Sequence, residues 1–282
     1  MSFSATEAAF INQPALGITN ADDALAGTLA GALVGTLYID VEADRAGRPH
    51  AVGAVLEDRD FRWEGRGKAA LAGLKEMDAF ARGATRIVGH NILAHDLPIL
   101  RDAVPGLSIL TLPVMDTLLL SPLAFPANPY HRLVKDYKLV KETLNDPVAD
   151  ARLCRTLLHD IAGAFARLSR EQPDAAGFHR FAFSQPERAG MADLFDRLGT
   201  PPLPSPAAAL AAWKRCAGDS VCAAAAGRLS PDRIAAPEAR LSFAYALAWL
   251  TVAGGSSVLP AWVWRRHPET ARLLADLRGT AC

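Results

Sequence analysis

Cysteine is scarce in this chain, with four in 282 residues: Cys154, Cys216, Cys222 and Cys282. The two nearest, Cys216 and Cys222, have five residues between them, so no Cys-x-x-Cys redox or zinc motif exists. No signal-peptide pattern opens the chain, so reduced thiols and a cytoplasmic location are expected. Net charge is also lacking. Thirty basic residues balance thirty acidic ones, and no overall basicity announces a polyanion partner. Long hydrophobic runs are absent too. The longest, Leu241 to Ala253, is too short to span a bilayer and reads as a buried helix, so no membrane partner is expected.

What is present is a globular composition, 50% hydrophobic and 21% charged, in a chain long enough for one large domain or two ordinary ones. The charge balance hides an asymmetry. Residues 1–150 carry five more acidic than basic residues, and residues 151–282 five more basic than acidic. An acidic first half suits a carboxylate metal site, and a basic second half could touch a polyanion. Uneven surface charge without a purpose would look the same.

The most informative stretch is Tyr38-Ile39-Asp40-Val41-Glu42, at the end of an apolar run that begins at Ala32. Such a run reads as a buried strand. Strand side chains alternate faces, so Asp40 and Glu42 point the same way. Two carboxylates this close repel and are costly to bury, unless a cation lies between them. Hard divalent cations such as Mg²⁺ take oxygen ligands of this kind.

Residues 1–30 read as a lead-in. Strands are expected over 32–43, 50–57 and 60–64, with a tight link making the last two antiparallel neighbours. A helix follows from Lys68 to Arg82, then a short buried strand over 86–90, a helix from His95 to Ala103 and a strand near Val114–Thr117. Ser121 to Tyr130 reads as irregular and Arg132 to Thr143 as partly helical. Asp146 is a plausible cap for a long helix that starts at Pro147 and runs to about Arg170. Together these give an α/β fold with a mixed sheet over residues 31–170. Residues 171–282 read as a helical domain or extension, with helices expected over 187–198, 206–217, 220–228, 237–253 and 267–278. Trp213, Trp249, Trp262 and Trp264 are expected in its core.

Two further acids complete a pattern. Asp96 lies in Gly89-His90-Asn91-Ile92-Leu93-Ala94-His95-Asp96-Leu97-Pro98-Ile99-Leu100, where a strand gives way to a helix. Asp150 lies one turn inside the long helix, flanked by the small residues Ala149 and Ala151. Each alone would pass for a helix cap or dipole partner. In order, Asp40-x-Glu42, Gly-His-Asn with Asp96, Asp116-Thr117 and Asp150-Ala151 resemble the DEDD superfamily of 3′–5′ exonucleases. The resemblance covers roughly residues 32–168 and implies a ribonuclease-H-like mixed sheet flanked by helices. It implies that Asp40, Glu42, Asp96 and Asp150 hold two divalent cations, Mg²⁺ or Mn²⁺, for hydrolysis of DNA phosphodiester bonds. It also implies that Asn91 contacts the nucleic acid.

Three positions depart from the pattern. Ala43 stands where a Thr commonly follows the Glu, and His95 where an aromatic commonly precedes the third acid. A general base, His five residues or Tyr four residues before the last Asp, is replaced by Asn145 and Asp146. Neutral Asn cannot accept the proton, and capping suits Asp146 better. His131 is the candidate base, in a segment that could fold over the site. His90 and His95 are nearer in sequence, though a histidine at a helix start is more often structural. Arg132, Lys135, Lys138 and Lys141 recur every third residue with Tyr130 and Tyr137 among them. Cations at this spacing could hold phosphates while the rings stack bases of single-stranded DNA or a DNA 3′ end. A solvated helix face would show the same spacing.

The runs His131–Leu139 and Asn145–Ala151, with the tail Ala253–Pro260, also look like the exonuclease-like N-terminal part of bacterial RecQ-type helicase proteins. A RecQ-type helicase region is thus an expected partner, although the chain has no G-x-x-x-x-G-K-[ST] loop to drive a motor itself. Two other functions remain open on these residues. One is a nucleic-acid-binding module with weak or absent hydrolysis, favoured by the missing base. The other is a ribonuclease-H-like endonuclease, which needs no such base.

Overall fold

The computed structural model describes residues 31, 33–128, 131, 146–252 and 259–278. The expected lead-in over 1–30, and Arg132, Lys135, Lys138, Lys141 and Asn145, lie outside the described residues.

The three N-terminal strands form as expected: β1 (Thr36–Ala43), β2 (Pro49–Leu56) and β3 (Arg59–Glu64) make an antiparallel meander. Helix α1 (Lys68–Phe80) crosses one face and returns the chain to β4 (Arg86–Gly89), parallel to β1 on its other side. Helix α2 (Asp96–Ala103) leads through a short 3₁₀ turn at Ser108–Thr111 to β5 (Val114–Asp116), parallel to β4. The sheet order is β3-β2-β1-β4-β5, a mixed five-stranded sheet. Helices flank it on both sides, and the fold is α/β.

Helix α3 (Thr117–Ala124) replaces part of the irregular stretch expected after Ser121. Pro122 lies inside this helix, whose start the Asp116 side chain caps by accepting the Leu118 N–H. Helix α4 (Pro147–Glu171) then runs across the second sheet face, against β1 and β2. The remainder is helical: α5 (Pro173–Phe183), α6 (Ala189–Arg197), α7 (Pro206–Ala217), α8 (Ala223–Gly227), α9 (Pro231–Ala235), α10 (Pro237–Leu250), α11 (Ala261–Arg266) and α12 (Glu269–Arg278). Helix α5 was not expected. Its residues are buried nearly all round, so it lacks the one-sided period by which a helix is read.

Strand alternation divides the core. Leu37, Ile39 and Val41 face α1 and α2 in one cluster with Leu74, Met77 and Leu97. Tyr38, Val55, Val88 and Met115 face the other way, into a cluster that runs unbroken through α4 to Trp213, Phe243 and Tyr245 of the C-terminal helices. The described helices beyond residue 171 therefore share the core of the sheet. Trp213 is fully buried, while Trp249, Trp262 and Trp264 pack against that core part-buried. On α6, Gly190 comes against β5; a Cβ there would lie 2.4 Å from the Val114 carbonyl oxygen. This covers the sheet edge, which would otherwise expose unpaired backbone groups. Among the cysteines, Cys154 and Cys216 are free, as expected, but Cys222 is disulfide-bonded. That corrects the expectation of reduced thiols throughout, because spacing along the chain does not report which sulfurs the fold brings together.

Candidate metal centre

Because Leu37, Ile39 and Val41 face α1, the alternate residues Asp40 and Glu42 face α4. Helix α4 carries Asp150 in its first turn, and oxygens of Asp40, Glu42 and Asp150 lie within 4.8 Å of one another. Asp40 is paired in register with Gly53 on β2. A Cβ at Gly53 would sit 2.2 Å from the Pro147 carbonyl carbon and 2.3 Å from the Val148 nitrogen. The missing side chain is therefore what lets the start of α4 lie on the sheet beside Asp40. Asp146 fixes that start: its Oδ1 accepts the N–H groups of Val148 at 3.0 Å and Ala149 at 3.3 Å. Arg62 pairs with the same carboxylate at 3.2 Å. An ion pair between Arg152 and Asp60, and a 2.8 Å bond from Arg155 to the Glu57 carbonyl, hold the next turns to the β2–β3 hairpin.

Asp96 arrives by a different route. Strand β4 stays in register with β1 only from Thr36 to Tyr38, and the chain then turns away at Asn91, whose φ is +71°. Asn tolerates this left-handed conformation better than most residues. Beyond the register, the Val41 N–H has no β4 residue opposite it. The buried Asp96 takes that place, and its Oδ1 accepts the Val41 N–H at 2.8 Å. The turn is organised by Asp116, which accepts the N–H groups of Asn91 at 2.9 Å and Leu93 at 3.2 Å. Burial pushes the Asp116 carboxyl up to about 6, against those bonds.

Electrostatics join the four acids. Burial, followed by the charges of Asp96, Asp150 and Glu42, pushes the Asp40 carboxyl up to about 8. A carboxylate so placed must hold a proton or share a cation. Three convergent carboxylates with a fourth acid in electrostatic reach form an all-oxygen donor set, which fits Mg²⁺ or Mn²⁺ better than zinc. No family model matches the sequence, and neither does any curated protein.

Of the residues marked out in the sequence, Asp40, Glu42 and Asp150 converge at the end of the central strand β1, and Asp96 lies in electrostatic reach of Asp40. His131 is buried instead, with Nδ1 2.8 Å from Ser121 Oγ. His131 acts electrostatically on His90, and burial pushes both imidazoles toward the neutral form. Among the described residues, no contact joins His131 to the four acids. The histidine at the carboxylates is His95, whose half-exposed ring lies 3.7 Å from Asp96 Oδ2. The neighbouring Asp96 carboxylate raises its pKa first, against the effect of burial and helped by the charges of Asp40 and Glu42. Sequence reasoning set His95 aside as a helix-start residue, although its adjacency to Asp96 was in plain view. Gly53 left no such signal.

Proposed function

We propose that the chain is a metal-dependent 3′–5′ exonuclease of the DEDD type, built on a ribonuclease-H-like sheet and acting on DNA, single-stranded or at 3′ ends. The observation that carries this reading is the convergence of Asp40, Glu42 and Asp150 oxygens within 4.8 Å, with Asp96 coupled to Asp40. The strand order β3-β2-β1-β4-β5, with only its first three strands antiparallel, supports the fold assignment. The four carboxylates would hold two divalent cations, which when bound supply a nucleophilic water at neutral pH and charge stabilisation for the leaving 3′ oxygen. Asp40 and Glu42 present their charge from a rigid strand, and Asp150 closes the site from α4. Asp96 draws part of its orientation from the Val41 N–H, so strand and ligand are fixed together. His95 is placed to take up a proton at the open side, where Asp146 is committed to capping α4 and pairing Arg62. A RecQ-type helicase region is the proposed partner, delivering unwound strands.

The test is digestion of end-labelled single strands with Mn²⁺ or Mg²⁺. A ladder shortening from the 3′ end, absent with a chelator, is expected; internal cuts would indicate an endonuclease instead. His95→Ala is expected to lower kcat about 10²-fold, the scale of general acid–base catalysis. His131→Ala is expected to lower thermal stability and leave kcat per folded molecule near wild type. The reverse pattern would return the base to His131. The commitment of Asp146 also favours a second reading, a binding module without efficient hydrolysis. Metal-independent strand binding with no ladder would decide for it.

A further inference from the structure

Arg266, the last residue of α11, lies 175 positions from Asn91 in sequence, yet its Nη1 donates to Asn91 Oδ1 at 2.9 Å. Its guanidinium carbon also lies 5.8 Å from the centre of the Trp262 ring. Helix α11 is anchored by the fully buried Val263 and by the edge-on packing of Trp262 against Tyr245. The Tyr245 hydroxyl in turn donates to the Leu119 carbonyl on α3. These contacts seat α11 at the end of the sheet where β4 and β5 finish.

Asn91 belongs to the turn that presents the third acid. Its carbonyl oxygen accepts the N–H groups of Ala94 and His95, so one hydrogen-bonded turn separates Asn91 from Asp96. The exposed guanidinium has five N–H donors, and its partner here is a neutral amide. Among the described residues, Arg266 forms no ion pair. An amide orients the arginine while leaving its charge uncompensated; a carboxylate partner would have neutralised it.

We infer that Arg266 binds a phosphate of the nucleic-acid strand next to the scissile one, so that the C-terminal helices supply part of the substrate-binding surface of the carboxylate site. This rests on the exonuclease reading. It gives the basic C-terminal half a task at a site made by the acidic half: four carboxylates repel an anionic strand, and a fixed cation beside them offsets that repulsion. Trp262 and Asn91 hold the guanidinium in place before the strand arrives, which reduces the side-chain ordering required on binding.

The experiment compares the full-length chain with Arg266→Ala and Arg266→Lys, using 5′-labelled oligothymidylate and Mn²⁺. Arg266→Ala is expected to raise KM about tenfold with kcat within about twofold and the melting temperature little changed. Arg266→Lys should recover most of the loss. Fluorescence anisotropy of the same oligomer on the Asp40→Asn chain, with and without Arg266→Ala, reads binding without cleavage. The slope of log affinity against log salt should fall by about 0.7, one phosphate contact on a single strand. Unchanged KM and salt slope, with digestion intact, would overturn the inference and leave the exonuclease reading standing. Equal losses in the Ala and Lys variants, accompanied by a lower melting temperature, would reduce Arg266 to a tie between the helices and the sheet. Failure of the parent chain to bind or digest the oligomer would remove both readings.

Discussion

Replacing Asp40 by Asn should abolish digestion and at the same time make the metal-free protein more stable at pH 8. The two effects share one cause. The Asp40 carboxyl titrates at about 8 in the folded chain, against an ordinary value of 3.8. A carboxyl whose folded pKa is raised contributes stability that is fully present below about pH 3.8. That contribution is lost as pH rises toward 8, because ionisation puts an unscreened charge beside three others. Each unit of separation is worth about 1.4 kcal/mol, so the loss is on the order of a few kcal/mol after allowance for the site's open side. Asn removes the ionisation while keeping the shape. Thermal melts in chelator should therefore show wild type falling from pH 5 to pH 8 and Asp40→Asn falling less. Adding Mn²⁺ should raise the wild-type melting temperature, most at pH 8, and leave the variant unmoved. Activity should drop at least 10³-fold, since one ligand and its charge are gone. A variant that is less stable than wild type in chelator at pH 8 would show that the acids are not held against their own repulsion.

The second large effect is expected at Gly53. Any side chain there meets the backbone of Pro147 and Val148, at 2.2 and 2.3 Å, and backbone cannot rotate aside as a side chain can. Gly53→Ala must therefore lift the start of α4 away from β2. The overpacking should cost about 3 kcal/mol. Asp150 moves with the helix, so the three oxygens no longer converge. Mn²⁺ affinity, measured by titration, and digestion should both fall at least 10²-fold per folded molecule. Gly190→Ala is the matched control. It forces a similar clash, 2.4 Å from the Val114 carbonyl oxygen, between α6 and the edge strand. It should cost comparable stability and leave Mn²⁺ affinity intact. Equal loss of metal affinity in the two variants would mean that the site follows global stability and not the seating of α4.

The contrast between Asp40 and Gly53 shows what could be read from the chain. Asp40 and Glu42 were legible because strand geometry is local: two residues apart is one face, whatever the rest of the fold does. The cap at Asp146 and the helix begun by Pro147 were legible for the same reason. Asp96 and Asp150 needed the pattern of all four acids, since each alone passes for a helix-end residue. Gly53 carried no signal of its role, because the close approach that explains it comes from a helix 94 positions later. His131 was chosen over His95 because its segment could fold over the site, yet the fold turns it toward Ser121.

Local chemistry in the sequence thus determined the strands and the helices α1 and α2 of the first half, the shared face of Asp40 and Glu42, and the start of α4. Tertiary structure alone decided that Asp150 meets that pair, and that Asp96 fills the place opposite Val41 where β4 turns away. It also decided that the C-terminal helices share the sheet's core and carry Arg266 to Asn91. The physical reason is range. Backbone preference and side-chain alternation act over a few residues, whereas close packing and charge repulsion act between segments whose separation along the chain carries no information about their distance in space.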